Sequence, residues 1–254
     1  MKKPHKRGQH SGKHGSSRED RRKPRFSREL AIIYEDDAVL VVNKPPGLLS
    51  VPIEGSRTTS VLSLLIAELK PLKRRAYVVH RIDRFTSGAL LFAKSQKDRE
   101  SLIRQFLAHT PVREYLAVVR GSLPAKEGTL VHYFRREGQF QKLSTQRDRK
   151  AARAEMKYVV ERNLRDATLV RATLITGLQN QIRVQFSALE HPIVGDRKYH
   201  SKEATEGLID RVALHAAHLE FRHPRTGENV SVDCEPPHDF RSLVHSLLPQ
   251  KGGR

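Results

Sequence analysis

From residue 30 onward the apolar residues arrive in short runs separated by turn chemistry, and this spacing most restricts what the chain can fold into. IIYEDDAVLVVNKPPGLL, residues 32–49, reads as a strand, an acidic turn, a second Val-rich strand and a Pro-Pro-Gly stop. Residues 58–69 place Val61, Leu62, Leu64, Leu65 and Leu69 on one helical face, which stops at Lys70-Pro71. A buried strand at 89–94 precedes an amphipathic helix at 97–108 carrying Leu102, Ile103, Phe106 and Leu107. Strands are expected again at 114–120, 154–160 and 168–176, then a helix at 180–189 and extended segments at 212–221 and 228–234. Strands with helices inserted, rather than a regular alternation, predict an α+β fold with a mixed, largely antiparallel central sheet flanked by helices and loops. Apolar runs such as AVLVV at 38–42 fall far short of the roughly 20 residues a membrane-spanning helix needs, so no membrane partner is expected.

A chain of 254 residues can bury a sizeable core, and its 47 Lys and Arg against 28 Asp and Glu leave a formal charge of +19. Such a field attracts polyanions, which makes nucleic acid the first partner to consider. Residues 1–28 hold eleven of those cations and two acids, with Met1 and Phe26 their only strongly apolar residues. They read as a disordered basic arm, serving either solubility or loose phosphate contact. The expected organisation is this arm, a folded domain at 29–240 with no internal linker, and a C-terminal tail at 241–254. The lone Cys234 can form no internal disulfide, and no apolar segment follows the basic start, which points to the cytoplasm.

The densest chemistry lies in VVHRIDRFTSGALLFAKS, residues 78–95. Asp83 stands between Arg81 and Arg84, and neighbouring positive charge lowers a carboxylate's pKa, so Asp83 is expected to be ionised: a poor acid but a workable nucleophile, base or electrostatic stabiliser. Thr86, Ser87 and Gly88 supply a tight turn. On spacing alone, a surface ion pair at a strand start fits these residues as well. Tyr115 alone reads as a strand residue, Arg183 as a helix-surface charge and Lys44 as a strand cap. His215 and His218 form His-x-x-His, but no third ligand or suitable Cys arrangement accompanies them, so no metal is expected.

HRIDRFTSGALLFAKS resembles the catalytic motif of the RluA-type pseudouridine synthases, His-Arg-Leu-Asp-Arg-x-Thr-Ser-Gly followed by a hydrophobic strand ending in Ala-Lys. The likeness continues in the family's order through EDDAVLVVNKPPGLLSVP (35–52), REYLAVVRG (113–121), TGLQNQIRVQFSALEHPIVGDRKY (176–199) and ALHAAHLEFRHPRTGE (213–228), spanning roughly residues 30–240. The resemblance implies a pseudouridine synthase fold, with residues 29–240 as the catalytic domain, and isomerisation of uridine to pseudouridine without cofactor or metal. It gives Asp83 the catalytic role, Tyr115 the place against the flipped uracil, and Arg183 the pairing with the aspartate. Arg81 would fill the gap left by the extruded base, while Lys44, Arg84 and Gln181 are expected among the RNA contacts. Whether the carboxylate adds to the sugar, adds to the ring or removes a sugar proton stays open. The implied substrate is ribosomal RNA ahead of transfer RNA, at unpaired loops whose bases can be splayed out, and the protein is expected to be a monomer.

The family commonly reads Thr-Gly-Arg-x-His-Gln-Ile-Arg where this chain has TGLQNQIR, so Leu178 and Asn180 replace an Arg and a His. A smaller departure falls at Glu190 and His191, where a Gly often sits nearby. The first departure and the basic arm favour one rival, a catalytically silent RNA-binding or ribosome-assembly protein on the same fold. A nuclease is the second rival, but such enzymes gather carboxylates or histidines around metal ions, and no such cluster stands out.

Overall fold

The computed structural model describes residues 30–55, 58–138, 140–199 and 207–249. The expected basic arm at 1–28 lies outside them. Strands β1 (Ala31–Glu35) and β2 (Val39–Lys44) form an antiparallel hairpin. Asp36 makes its turn, because Oδ1 accepts the backbone N–H of Ala38 at 2.7 Å and of Val39 at 2.8 Å.

Helix α1 (Val61–Leu69) begins at a Ser60/Ser63 capping box, and the short β3 (Tyr77–Val78) then leads through a loop into β4 (Ser87–Ala93). Helix α2 (Gln96–Leu107) follows, capped by Ser95. The apolar runs of β2 and β4 are buried on both faces, which explains their lack of polar alternation. Leu40, Val42, Leu90 and Phe92 pack against Val61, Leu65 and Leu69 of α1, while Val39, Val41 and Leu91 pack with Leu102 of α2.

The chain continues through β5 (Val112–Arg120), β6 (Glu127–Glu137), β7 (Phe140–Ser144), β8 (Ala152–Leu164), β9 (Ala167–Leu174), α3 (Gln181–Ala188), β10 (Leu214–Arg222), β11 (Asn229–Asp233) and α4 (His238–Ser246). Among the described residues the strands make one sheet, in the order β1-β2-β4-β10-β5-β9-β8-β6-β7, with β11 on β10 and β3 on β4. Only the β4–β10 pairing is parallel, so the expected mixed, largely antiparallel α+β sheet is what forms. That pairing joins the Asp83 loop to the sheet's centre and needs Gly88. There φ is +116°, and a Cβ would lie 2.2 Å from the Ala216 carbonyl oxygen.

Two expectations are corrected. Position 241 does not begin a tail: α4 runs through it, and Phe240, Leu243 and Leu247 enter the core beside Phe186 and Val170. Burying each such side chain is worth about 1.5–3 kcal/mol, enough to hold this helix against the sheet. The segment between β5 and β8 also carries two strands that the hydrophobic pattern hides. β6 and β7 lie at the sheet's edge, where Arg135, Arg136 and Lys142 interrupt the apolar alternation.

Candidate active site

The loop between β3 and β4 is held from several sides through its own backbone. Ser50 Oγ donates to the Ile82 carbonyl at 2.7 Å and accepts the Ile82 N–H at 3.2 Å. Lys44 Nζ donates to the carbonyls of Pro45 (3.0 Å), Leu48 (2.9 Å) and Arg84 (3.0 Å), and the Gly47 N–H also reaches Arg84 O at 2.8 Å. Farther along, the wholly buried Arg211 grips Asp239 at the start of α4 with Nε and Nη2 (2.7 and 2.9 Å) and turns Nη1 toward the Phe85 carbonyl at 3.4 Å. Asp83 is therefore presented by a backbone that is ordered before any ligand arrives.

The Asp83 carboxyl looks into a cleft of about 980 Å³. Among the described lining residues it is the sole carboxylate, facing the cations Arg81, Arg84, Arg99, Arg113, Arg183 and Lys198. Its side chain is 27% exposed, and Arg183 Nη1 lies 3.6 Å from Oδ2, an ion pair too long for a hydrogen bond. Burial raises its pKa, against the opposing pull of Arg183, Lys198 and Lys44. The direction is the reverse of that expected from the sequence: Arg81 and Arg84, two positions before Asp83 and one after it, are exposed, and loss of water around the carboxyl outweighs them.

Arg183 is fixed chiefly by a residue that sequence reasoning missed. Asp196, 1% exposed, takes Arg183 Nε on Oδ2 at 2.7 Å and Nη2 on Oδ1 at 2.8 Å. Burial pushes the Asp196 carboxyl up, but Arg183 and the N–H groups of Lys198 and Tyr199 prevail and hold it below its ordinary value. The guanidinium carbon sits 5.1 Å from the Tyr199 ring centroid, and Nη1 donates to Asn180 Oδ1 at 2.7 Å. Asn180 stands at the N-cap position of α3 with φ +55°, a conformation Asn tolerates better than most residues, and its side chain, which makes no capping bond, is a neutral acceptor for Arg183 where the family has His. Leu178, the other departure, packs against the cluster of Phe134, Ala154 and Val184.

Tyr115 lies in the cleft wall, 8% exposed, and burial pushes its phenol up to about 12, so it is neutral. His80 is neutral too: burial and then Arg113 push it down to about 3, while Nε2 accepts the Leu91 N–H and the ring stacks on Phe106. His215 spends both ring nitrogens on Ser87 Oγ (2.9 Å) and the Cys234 carbonyl (2.8 Å), whereas His218 turns to Asp233. The His-x-x-His pair thus has separate structural partners.

A model of the RNA pseudouridylate synthase family matches residues 38–188, more than half of the chain. The chain belongs to the RluA-type pseudouridine synthases. It is 38% identical over 225 residues to an uncharacterized RNA pseudouridine synthase, YlyB, of Bacillus subtilis, covering 86% of this chain and 73% of that protein. With the ribosomal large subunit pseudouridine synthase D of Zymomonas mobilis it shares 35% identity over 232 residues, again 86% and 73% of the two chains. Among solved structures, human RNA pseudouridylate synthase domain containing 1 superposes with a TM-score of 0.69 at 27% identity, over 87% of this chain and 89% of that one. The protein is thus an RNA isomerase.

Of the residues expected in the synthase's site, the fold brings Asp83, Tyr115 and Arg183 together in one cleft, with Arg81 and Arg84 exposed on its wall. Two expected RNA contacts are corrected. Lys44 is 0% exposed and its three donors are spent on carbonyls, so it braces the loop from beneath. Burial pushes it down to about 7. Gln181, 2% exposed, accepts from Thr176 Oγ1 and the Leu178 N–H and donates to Glu155 O and Gln185 Oε1, so it latches α3 to the sheet. Asp196 had one visible signal, its place in the VGDRKY stretch of the family likeness.

Proposed function

We propose that this synthase isomerises uridine at specific sites in ribosomal RNA, ahead of transfer RNA, with Asp83 as its catalytic carboxylate. The observation that carries the reading is a single carboxylate among six cations in the described cleft lining, next to the neutral, buried Tyr115. The relatives of similar sequence that are named as ribosomal large subunit synthases favour ribosomal RNA.

The reaction breaks the bond from the sugar's carbon 1′ to N1 of uracil, turns the base and joins carbon 1′ to carbon 5. The carbon-5 proton leaves and N1 gains one. The uridine must first leave its stack, at a cost of a few kcal/mol. Arg81, exposed at the cleft, occupies the gap; Tyr115 packs against the uracil, and its neutral phenol takes no charge into that contact. Arg183 stabilises Asp83 as the carboxylate when the entering base expels water. Because Asp196 and Asn180 hold Arg183 away from full hydrogen-bonding contact, the Asp83 oxygens are free to engage the nucleotide. The reading has the protein acting as a cytoplasmic monomer, and among the described residues no helix is long and apolar enough to cross a membrane.

The test is tritium release from ribosomal and transfer RNA transcripts labelled at carbon 5 of uridine, in the presence of a chelator. Release by the unaltered protein and none by Asp83→Ala is expected, with ribosomal RNA the better substrate. Equal release by both proteins would remove Asp83 from the chemistry, and no release from either RNA with tight binding retained would favour a silent RNA-binding role.

A further inference from the structure

The cleft wall holds a cation that the chemistry above does not use. Arg113 lies on β5 two residues before Tyr115, so both side chains leave the same face of the strand, and both line the cleft. Arg113 is 7% exposed, and burial lowers its pKa, although an arginine stays protonated. Among the described residues it forms an ion pair with no carboxylate, unlike Arg183 on Asp196 or Arg211 on Asp239. Its Nε is buried without a hydrogen-bond partner, and Nη2 reaches only the carbonyls of Ile175 and Thr176, at 3.4 and 3.5 Å. A buried charge without a counter-ion destabilises the fold that holds it.

The surroundings nevertheless fix the guanidinium. Its carbon sits 5.7 Å from the Phe106 ring centroid, and Phe106 is stacked in turn on His80 with centroids 4.6 Å apart. Gly177 leaves the room on another side: a Cβ there would lie 2.5 Å from Arg113 Nη1, and the three nearest atoms it would meet all belong to Arg113. Neutral acceptors are already at hand in the two carbonyls, so a cation placed in this way calls for a partner with full negative charge. In RNA that partner is the phosphate, whose oxygens match the guanidinium fork. The Tyr115 phenol is within electrostatic reach of both Arg113 and Asp83, and the Cα atoms of Arg113 and Tyr115 are at most about 7.2 Å apart. A uracil packed on Tyr115 therefore brings a phosphate of its own or the adjoining nucleotide to this side of the cleft.

We infer that Arg113, seated over Gly177 and Phe106, binds one RNA phosphate flanking the target uridine. This deepens the proposed function and rests on its reading that the cleft receives an extruded uridine. The guanidinium gains its counter-ion only when the backbone follows the base into the cleft, so the contact favours a strand that can be distorted over regular duplex.

The test uses the full-length protein and the shortest ribosomal stem-loop transcript that supports tritium release. That RNA is synthesised with its phosphates intact and in versions that each carry one neutral methylphosphonate near the target, every pair matched in a 2′-O-methyl sugar that keeps the linkage from cleaving itself. Arg113→Met, which keeps an apolar stem and removes the charge, should raise KM on the intact RNA about tenfold or more, with kcat within about twofold. The salt slope of its RNA binding should shrink by about 0.7. Arg113→Lys, a point charge without the fork, should recover part of the loss. On one methylphosphonate RNA the wild-type KM should rise to match the Met variant, and the variant should lose nothing further. Gly177→Ala covers the case of a Met variant that does not fold, because it keeps the charge and displaces only the end of a flexible side chain. It should raise KM on the intact RNA and lose nothing further on that same methylphosphonate RNA. An unchanged KM for Arg113→Met, a loss confined to kcat, or a penalty undiminished on every methylphosphonate RNA would overturn the inference. Wild-type protein that releases no tritium from any transcript would instead overturn the functional reading and this inference with it.

Discussion

Folding stability should rise with pH between about 7 and 9, and Lys44 should be the cause. Burial, opposed in part by Asp83, pushes its pKa from 10.5 to about 7 in the folded protein. Across that interval the unfolded chain holds a proton that the native state has released, and stability rises with pH wherever the unfolded state binds more protons. Integrating the two titrations from pH 7 to 9 gives a gain of about 2 kcal/mol. His80 and His215, pushed down to about 3 and about 4, act in the same direction, but their effect is nearly complete by the ordinary His value of 6.5. Cys234, pushed from 9.0 up to about 12, opposes the trend only near and above its ordinary value, which leaves the interval to Lys44. The assay is urea unfolding followed by circular dichroism, since the chain has no Trp. Lys44→Met keeps the side chain's length and removes the titrating group. The Arg84 carbonyl keeps the Gly47 N–H, so the loss falls on the carbonyls of Pro45 and Leu48, at about 2–6 kcal/mol for the two. The variant should be less stable and its stability flat over the interval. A wild-type stability that is level or falls with pH, or a Met variant with an undiminished rise, would refute the reasoning.

Asp83 titrates with the opposite sign. Its raised native pKa makes the folded protein bind the extra proton above the ordinary Asp value, so ionisation costs stability as pH rises through that window. Asp83→Asn should therefore abolish tritium release while raising Tm at neutral pH, and a lowered Tm measured by scanning calorimetry would contradict the assigned environment. In the wild type, kcat/KM should fall as pH drops through the raised Asp83 pKa, because the reacting form in the proposed mechanism is the carboxylate; a profile that does not fall on acidification would count against that role. Asn180→Ala removes the acceptor at Arg183 Nη1 and should lower kcat about tenfold with little change in KM, with Asn180→Asp recovering part of the loss. A KM effect alone would place Asn180 in RNA binding instead.

Much of the architecture could be read from local pattern. The Val-rich run of β2 and the seven buried residues of β4 announce strands covered on both faces, and the apolar stripes of α1 and α2 supply the covers. Where the pattern misled, long-range packing had decided. β6 and β7 earn their place at the sheet edge through backbone pairing with each other and with β8, despite charged residues that blur their alternation. The part of helix α4 from 241 onward reads as a tail in the sequence because only the helix's inward face, chiefly Phe240 and Leu243, is apolar, and that face acquires meaning only against Phe186 and its neighbours.

The same division runs through the site. Sequence by itself determined the membership of the family, the basic character of the whole and the candidacy of Asp83, Tyr115 and Arg183 for the site, since these are matters of residue type and order. Tertiary structure alone decided their charge states and supports. Asp83 is shifted by burial and by Arg183, a hundred positions away, rather than by its exposed sequence neighbours. Arg183 is oriented by Asp196, and Lys44 and Gln181 are drawn inside to satisfy carbonyls of distant segments. Desolvation and hydrogen-bond geometry depend on which distant segments meet, and those contacts exist only once the β4–β10 pairing has closed the sheet.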